Sequence, residues 1–179
     1  MQINNVMKNL IFICGSNGIG KSTACRYLVT KLSNSAYIDS DWCRCMSPFS
    51  FSEEQIEIVT SNISTMMINY FHCSTIENVI FSYGFHGVRE QIFADILNIL
   101  SEQNIPYKFC PILLQCDLKE NMRRMQNDNR DEDRVRRAIE ETRNIYDKYD
   151  YPRIDMSALS AAETVDAIYE VLGSVYRIV

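Results

Sequence analysis

Glycine is scarce in this chain: 6 of 179 residues, where average usage near ~7% gives roughly 12. Proline (4), histidine (2) and tryptophan (1) are also few. So little glycine and proline excludes a collagen-like or low-complexity chain. No apolar run approaches the ~18 residues of a membrane-spanning helix, and the apolar stretch Leu10–Cys14 is too short, and too soon cut by Gly15, for a signal peptide. Excess positive charge is missing as well. Eighteen Lys and Arg face 23 Asp and Glu, for a net charge of −5, which reads against a nucleic-acid-binding surface. The seven cysteines, at 14, 25, 43, 45, 73, 110 and 116, form no C-x-x-C pair. With two histidines this excludes the common zinc spacings, and buried, reduced thiols in a cytoplasmic protein are the simpler reading.

What remains is an ordinary globular composition, 46% hydrophobic and 23% charged. The length suits a single domain over residues 1–179. Leu10-Ile11-Phe12-Ile13-Cys14 is a continuous apolar run ending at Gly15, as expected of a strand buried on both faces. Further short strands are expected at 36–38, 78–81 and 112–114 and around Ile154, with Pro111 tolerated only at the start of its strand. Helical spacing runs from Lys21 to Ser33, from Ile56 through Val59, Ile63 and Met66 to Tyr70, and from Val88 to Leu100. It returns through Val135, Ile139, Thr142 and Tyr146, and again through Val165, Ile168 and Leu172. Ser52-x-x-Gln55 and Ser160-x-x-Glu163 are capping-box signatures, and Asp117-x-x-Glu120 opens another helix. Strands alternating with helices predict an α/β fold, a parallel sheet covered on both faces. Ligands bind such sheets beyond the carboxyl ends of the strands.

The scarce glycine is concentrated at one of those ends. Gly15-Ser16-Asn17-Gly18-Ile19-Gly20-Lys21-Ser22 matches G-x-x-x-x-G-K-[ST] in full. Glycines allow the backbone to turn its N–H groups inward as an anion nest, and the following helix adds its positive end. Lys21 reaches the β- and γ-phosphates of a nucleoside triphosphate, Ser22 can ligate Mg²⁺, and Thr23 is in place to support the α-phosphate.

Residues 10–32 resemble the start of a P-loop kinase of the small-molecule and nucleotide kinase group. Asp39-Ser40-Asp41 resembles the D-x-D of shikimate-kinase-like and gluconate-kinase-like enzymes, and the Arg-rich segment 123–137 resembles their mobile lid. The resemblance implies a three-layer P-loop NTPase fold with a five-stranded parallel sheet in the order 2-3-1-4-5. It also implies ATP and Mg²⁺ as cofactors, Asp39 on the metal side, Asp41 toward the acceptor and an acceptor region at about 42–72. Two carboxylates two residues apart can divide such labour, one holding the metal and the other receiving the acceptor's proton late in transfer.

The third strand runs into Ser82-Tyr83-Gly84-Phe85-His86 with no acid. That departs from the Walker-B pattern and reads against AAA-type machines. Ser82 is placed to reach a metal-bound water, and Tyr83, Phe85 and His86 to line an acceptor pocket. Trp42, Arg44 and Phe49 fall in the region expected to set substrate choice, and Arg44 and Arg89 are the candidates for an anionic acceptor. From Lys119 to Arg137, 7 of the 18 basic residues occur in 19 positions among five acids. Most are expected on a solvated face. Arg124 and Arg130, then Arg134, are the candidates for the transferring phosphate, because arginine's fork suits spread phosphate charge.

The leading expectation is a kinase passing the γ-phosphate of ATP to a hydroxyl of a small molecule. A nucleoside monophosphate kinase and a non-catalytic nucleotide-binding module remain open. A GTPase switch is disfavoured because N-K-x-D is missing. Neither a nucleic acid nor a membrane is expected as partner, and the oligomeric state is open.

Overall fold

The computed structural model describes residues 7–128 and 131–179, without the side chains at 134 and 137. Five strands, β1 (Lys8–Gly15), β2 (Ser35–Asp39), β3 (Asn78–Ser82), β4 (Tyr107–Gln115) and β5 (Arg153–Asp155), pair in the order β2-β3-β1-β4-β5. Every pairing is parallel. Six α-helices accompany them: α1 (Lys21–Lys31), α2 (Glu53–His72), α3 (Arg89–Glu102), α4 (Leu118–Asn127), α5 (Glu132–Thr142) and α6 (Ala161–Ser174). This is the expected three-layer α/β architecture with the expected strand order.

The period of two along β1 builds both faces. Leu10, Phe12 and Cys14 enter one core with residues of α2 and α3, while Ile11 and Ile13 enter the other with α1 and α6. All five are fully buried. Phe12 anchors the first core, stacking 4.4 Å from Phe93 and 5.5 Å from Phe85; its burial alone contributes about 1.5–3 kcal/mol. Met125, Val135 and Ala138 form a separate small cluster that holds α4 to α5. The Arg-rich segment thus carries its own packing apart from the sheet.

Three local expectations change. Pro111 lies inside β4, opposite Phe12, and not at its start. β5 pairs only with Leu113–Gln115, and the Pro111 carbonyl accepts from the Tyr176 hydroxyl at 2.6 Å. A strand residue's N and C=O point to the same flank, so the missing N–H falls where no strand needs it. Ser52 caps α2 through the Gln55 N–H. The Gln55 side chain does not complete the box, and holds Ser50 and Pro48 instead. The helix carrying Val135 and Ile139 stops at Thr142, leaving Tyr146 on a separate 3₁₀ turn, Asn144–Lys148. The Ser160–Glu163 capping box on α6 is complete.

Because all strands run one way, Gly15, Asp39 and Ser82, which end β1, β2 and β3, come to the same edge of the sheet. The chain crosses from β3 on one side of β1 to β4 on the other, so the crevice opens there.

Candidate functional site

A cleft of about 910 Å³ opens at that edge. One wall is the glycine loop. Gly15, Gly18 and Gly20 take φ of 144°, 78° and 106°, values that side chains rarely adopt. A Cβ on Gly15 would also stand 2.3 Å from the Leu114 carbonyl oxygen. Gly20 caps α1 with no side-chain hydrogen bond, and the first turn of α1 carries no acid. Its N–H groups are left to a ligand, and the helix end favours an anion. Lys21 curls back so that Nζ donates to the carbonyls of Gly15 (2.9 Å) and Ser16 (2.8 Å). Desolvation, reinforced by the charge of Arg89, pushes its pKa down to about 8. The charge of an arriving anion would offset both influences and favour the protonated lysine.

Asn17, Gly18, Gly20, Lys21, Ser22 and Thr23 line the cleft. Gly15, Ser16 and Ile19 do not. The Ile19 side chain is buried in the core, and the Ser16 hydroxyl donates to the Thr142 carbonyl at 3.3 Å. Thr142, at the end of α5, also accepts from the Asn17 N–H at 3.2 Å. Tyr146 donates to the Gly15 carbonyl at 3.0 Å and accepts from the Phe85 N–H at 2.8 Å. These two ties, from the end of α5 and the 3₁₀ turn after it to the glycine loop, had no signature in the sequence beyond polar groups at core-facing positions.

The opposite wall begins at the end of β2. Asp39 is nearly buried; its Oδ1 accepts from the Asp41 N–H at 3.0 Å and its Oδ2 from the Tyr37 hydroxyl at 3.1 Å. Asp41 is more open, and its Oδ1 accepts two bonds from Arg44, 3.1 Å from Nε and 2.5 Å from Nη2. Burial pulls the Asp41 carboxyl upward, but Arg44, Arg89 and Lys21 together hold it below the usual range. Both carboxylates line the cleft with Arg44 and Arg89. Among the described residues no cluster of three or more His, Cys, Asp or Glu could hold a metal ion.

Arg89 is only 5% exposed, yet no hydrogen bond or carboxylate partner is found for it among the described residues. Its guanidinium lies over Tyr83 (5.6 Å) and Phe51 (5.7 Å). Arg44 lies over Phe49 (5.7 Å) and over the other side chain it shares with Arg89, Phe51 (5.9 Å). Burial lowers the Arg89 pKa to about 10. Phe51, which no motif pointed to, stands in left-handed backbone at φ 54°. Tyr83 and His86 line the cleft, and burial with the nearby cations pushes His86 down to about 4, a neutral imidazole. Phe85 instead turns into the aromatic core against Phe12 and Tyr146. Trp42 also leaves the cleft: it is 73% exposed and lines a shallow pocket with Asn62 and Met66.

Arg124 stands behind the glycine loop. It donates to the carbonyls of Ile19 (2.7 Å), Met156 (2.8 Å) and Leu159 (3.3 Å), and to Glu120 at 2.6 Å. It does not line the cleft. Arg130 lies outside the described residues, as does the side chain of Arg134.

Residues 11–145 match a family model described as an AAA domain. The chain belongs to this family. Within the AAA-domain family it keeps its departure at the end of β3, where Ser82 stands in place of an acid. No curated protein matches the sequence. Among solved structures, a gluconokinase from Sinorhizobium meliloti 1021 superposes with a TM-score of 0.61 at 12% identity, over 95% of this chain and 97% of that one. The APS kinase of Mycobacterium tuberculosis, solved with AMPPNP and APS, gives 0.62 at 14% identity, over 94% and 99%. A tunicamycin resistance protein of Deinococcus radiodurans gives 0.61 at 15%, over 93% and 96%. At such identities the likeness establishes the fold, that of the P-loop kinases. No helix among the described residues is long and apolar enough to cross a membrane.

Proposed function

We propose that this protein is an ATP- and Mg²⁺-dependent phosphotransferase that moves the γ-phosphate of ATP to a hydroxyl of a small molecule carrying an anionic group. One observation carries the reading. A phosphate loop with its lysine shares a single cleft with two carboxylates at and just past the end of β2 and a buried arginine that has no carboxylate partner among the described residues. The APS kinase of the same fold, solved with a nucleotide analogue and APS, lends support.

The loop N–H groups and Lys21 bind and orient the triphosphate, and Lys21 exchanges the Gly15 and Ser16 carbonyls for phosphate oxygens. Ser22 and Asp39 would hold Mg²⁺. They are hard oxygen donors on one cleft, which suits a metal that keeps several waters and takes its remaining ligands from phosphates. Bound there, the ion supplies neutralising charge to the phosphates. Asp41 then orients the acceptor. Only its Oδ1 is engaged by Arg44, so Oδ2 can accept from the acceptor hydroxyl. The acceptor oxygen bonds to the γ-phosphorus as the bond to the β,γ-bridging oxygen breaks, ADP leaves, and the hydroxyl proton passes to Asp41 late in a loose transition state. A carboxylate held acidic by Arg44 suits that late role, since little proton transfer is needed before bond cleavage.

Arg89 also supports a second reading, a nucleoside monophosphate kinase whose acceptor is itself a phosphate. One experiment separates the readings: ADP release with Mg-ATP across neutral hydroxyl compounds, anionic hydroxyl compounds, nucleosides and nucleoside monophosphates. Stimulation by anionic hydroxyl compounds is the expected result. Stimulation confined to monophosphates selects the second reading. Tight ATP binding with no stimulation by any acceptor defeats both in favour of a binding module.

A further inference from the structure

Two groups on the metal side of the cleft converge on one phenol oxygen. Tyr37 lies on β2 two residues before Asp39, so the two side chains share a face of the strand. Its hydroxyl stands 3.1 Å from Asp39 Oδ2 and 2.8 Å from Ser82 Oγ at the end of β3. Ser22, Asp39 and Ser82 all line the cleft, and Tyr37 stands behind them.

The direction of these bonds follows from proton inventory. A phenol carries a single proton at neutral pH, so Tyr37 has one to give. A carboxylate can only accept, so that proton belongs to Asp39. The phenol oxygen is then an acceptor for the hydroxyl proton of Ser82. In P-loop ATPases an acid shares the metal with the loop serine or threonine, and here the end of β3 offers only Ser82.

We propose that Tyr37, bridged to Ser82, takes over the orienting part of the missing strand-end acid. It is a positioning residue that, tied to Ser82, fixes Asp39 for a nucleotide-bound divalent cation. The inference rests on the reading of Ser22 and Asp39 as the metal side of the site.

Tyr37→Phe in the full chain tests it, because the ring stays and only the bridging oxygen goes. Binding of a fluorescent ATP analogue is followed in EDTA and then across a Mg²⁺ titration. Partners of metal ligands are worth about 10–100-fold in metal affinity. The half-saturating Mg²⁺ concentration should therefore rise about tenfold or more, with the affinity measured in EDTA unchanged. Ser82→Ala should shift it in the same direction by less, and carries the test alone if Tyr37→Phe does not fold. An unchanged Mg²⁺ dependence in the folded variant overturns the proposal. So does an equal loss of affinity in EDTA, which would make Tyr37 a support of the loop. A wild-type protein whose nucleotide binding ignores Mg²⁺ defeats the metal-side reading beneath it.

Discussion

Arg124 and Arg89 are both withdrawn from solvent, and their surroundings are opposite. Arg124 spends its donors on three backbone carbonyls and Glu120, tying the glycine loop to the segment after β5. Arg89 lies between aromatic faces at the cleft with no such partner among the described residues. A guanidinium with filled donors stabilises the fold, whereas one buried without an anion costs stability unless a ligand completes it. The pair teaches that an arginine's neighbours, more than its presence in a basic run, mark it for substrate.

The largest effect should come from Lys21, which like Arg89 awaits an anion. Lys21→Ala should lower phosphoryl transfer by about 10²–10³-fold or more, through loss of preorganised charge, with the thermal midpoint little changed. Unchanged turnover in a steady-state assay would remove Lys21 from the site.

Arg89→Met sharpens the contrast directly. A charge-assisted bond of about 1.5–3 kcal/mol predicts a loss of roughly 10–100-fold in kcat/KM for an anionic acceptor. ATP affinity should hold, and the thermal midpoint should stay or rise as a buried charge is removed. A lower midpoint with unaltered acceptor use would reverse the comparison.

Arg124→Ala should do the opposite. Three carbonyls and a carboxylate lose their donor, which predicts about 2 kcal/mol of destabilisation in urea unfolding. Arg124→Lys should restore little of it, because an ammonium cannot span that fork. Full stability in the alanine variant would break the assignment.

The smallest effect concerns pH. Hydrogen bonds from Arg123 and Arg124 hold the Glu120 carboxyl down at about 2, below its ordinary 4.5. Its folded-state value is depressed, so its contribution is complete above pH 4.5 and fades as pH falls through about 2. The stability gap between wild type and Glu120→Gln should narrow over that window in an acid titration of the thermal midpoint. A gap independent of pH would detach Glu120 from its arginines.

How much of this was legible in the sequence depended on the span of each contact. The glycine loop occupies eight contiguous positions, and its glycines stand at φ values that their neighbours in sequence already demand. The D-x-D ends its strand because β2 stops where the sheet opens. Arg44 and Arg89 were legible as cations near that end. Arg124 was expected at the transferring phosphate, but its partners lie as far as 105 residues away, and a basic run carries no record of them. Phe85 and Trp42 were misread for a related reason. Position in a loop does not say which way a ring turns, and the buried Phe12 surface took one while solvent kept the other. Pro111 was misplaced because β5 is only three residues long, and its length decides which flank of β4 needs donors.

The sequence alone determined the alternation of buried strands with helices, the order of the elements and the anion-binding turn, since these rest on periodicity and on backbone conformations set by near neighbours. Only the tertiary structure decided which charges remain unpaired. The β-strand order set Tyr37 beside Ser82, the small core between α4 and α5 set Thr142 on the glycine loop, and an aromatic wall set Arg89 facing the cleft. Pairing of buried polar groups is a property of the packed chain, because a donor's partner is whatever the fold brings within about 3 Å.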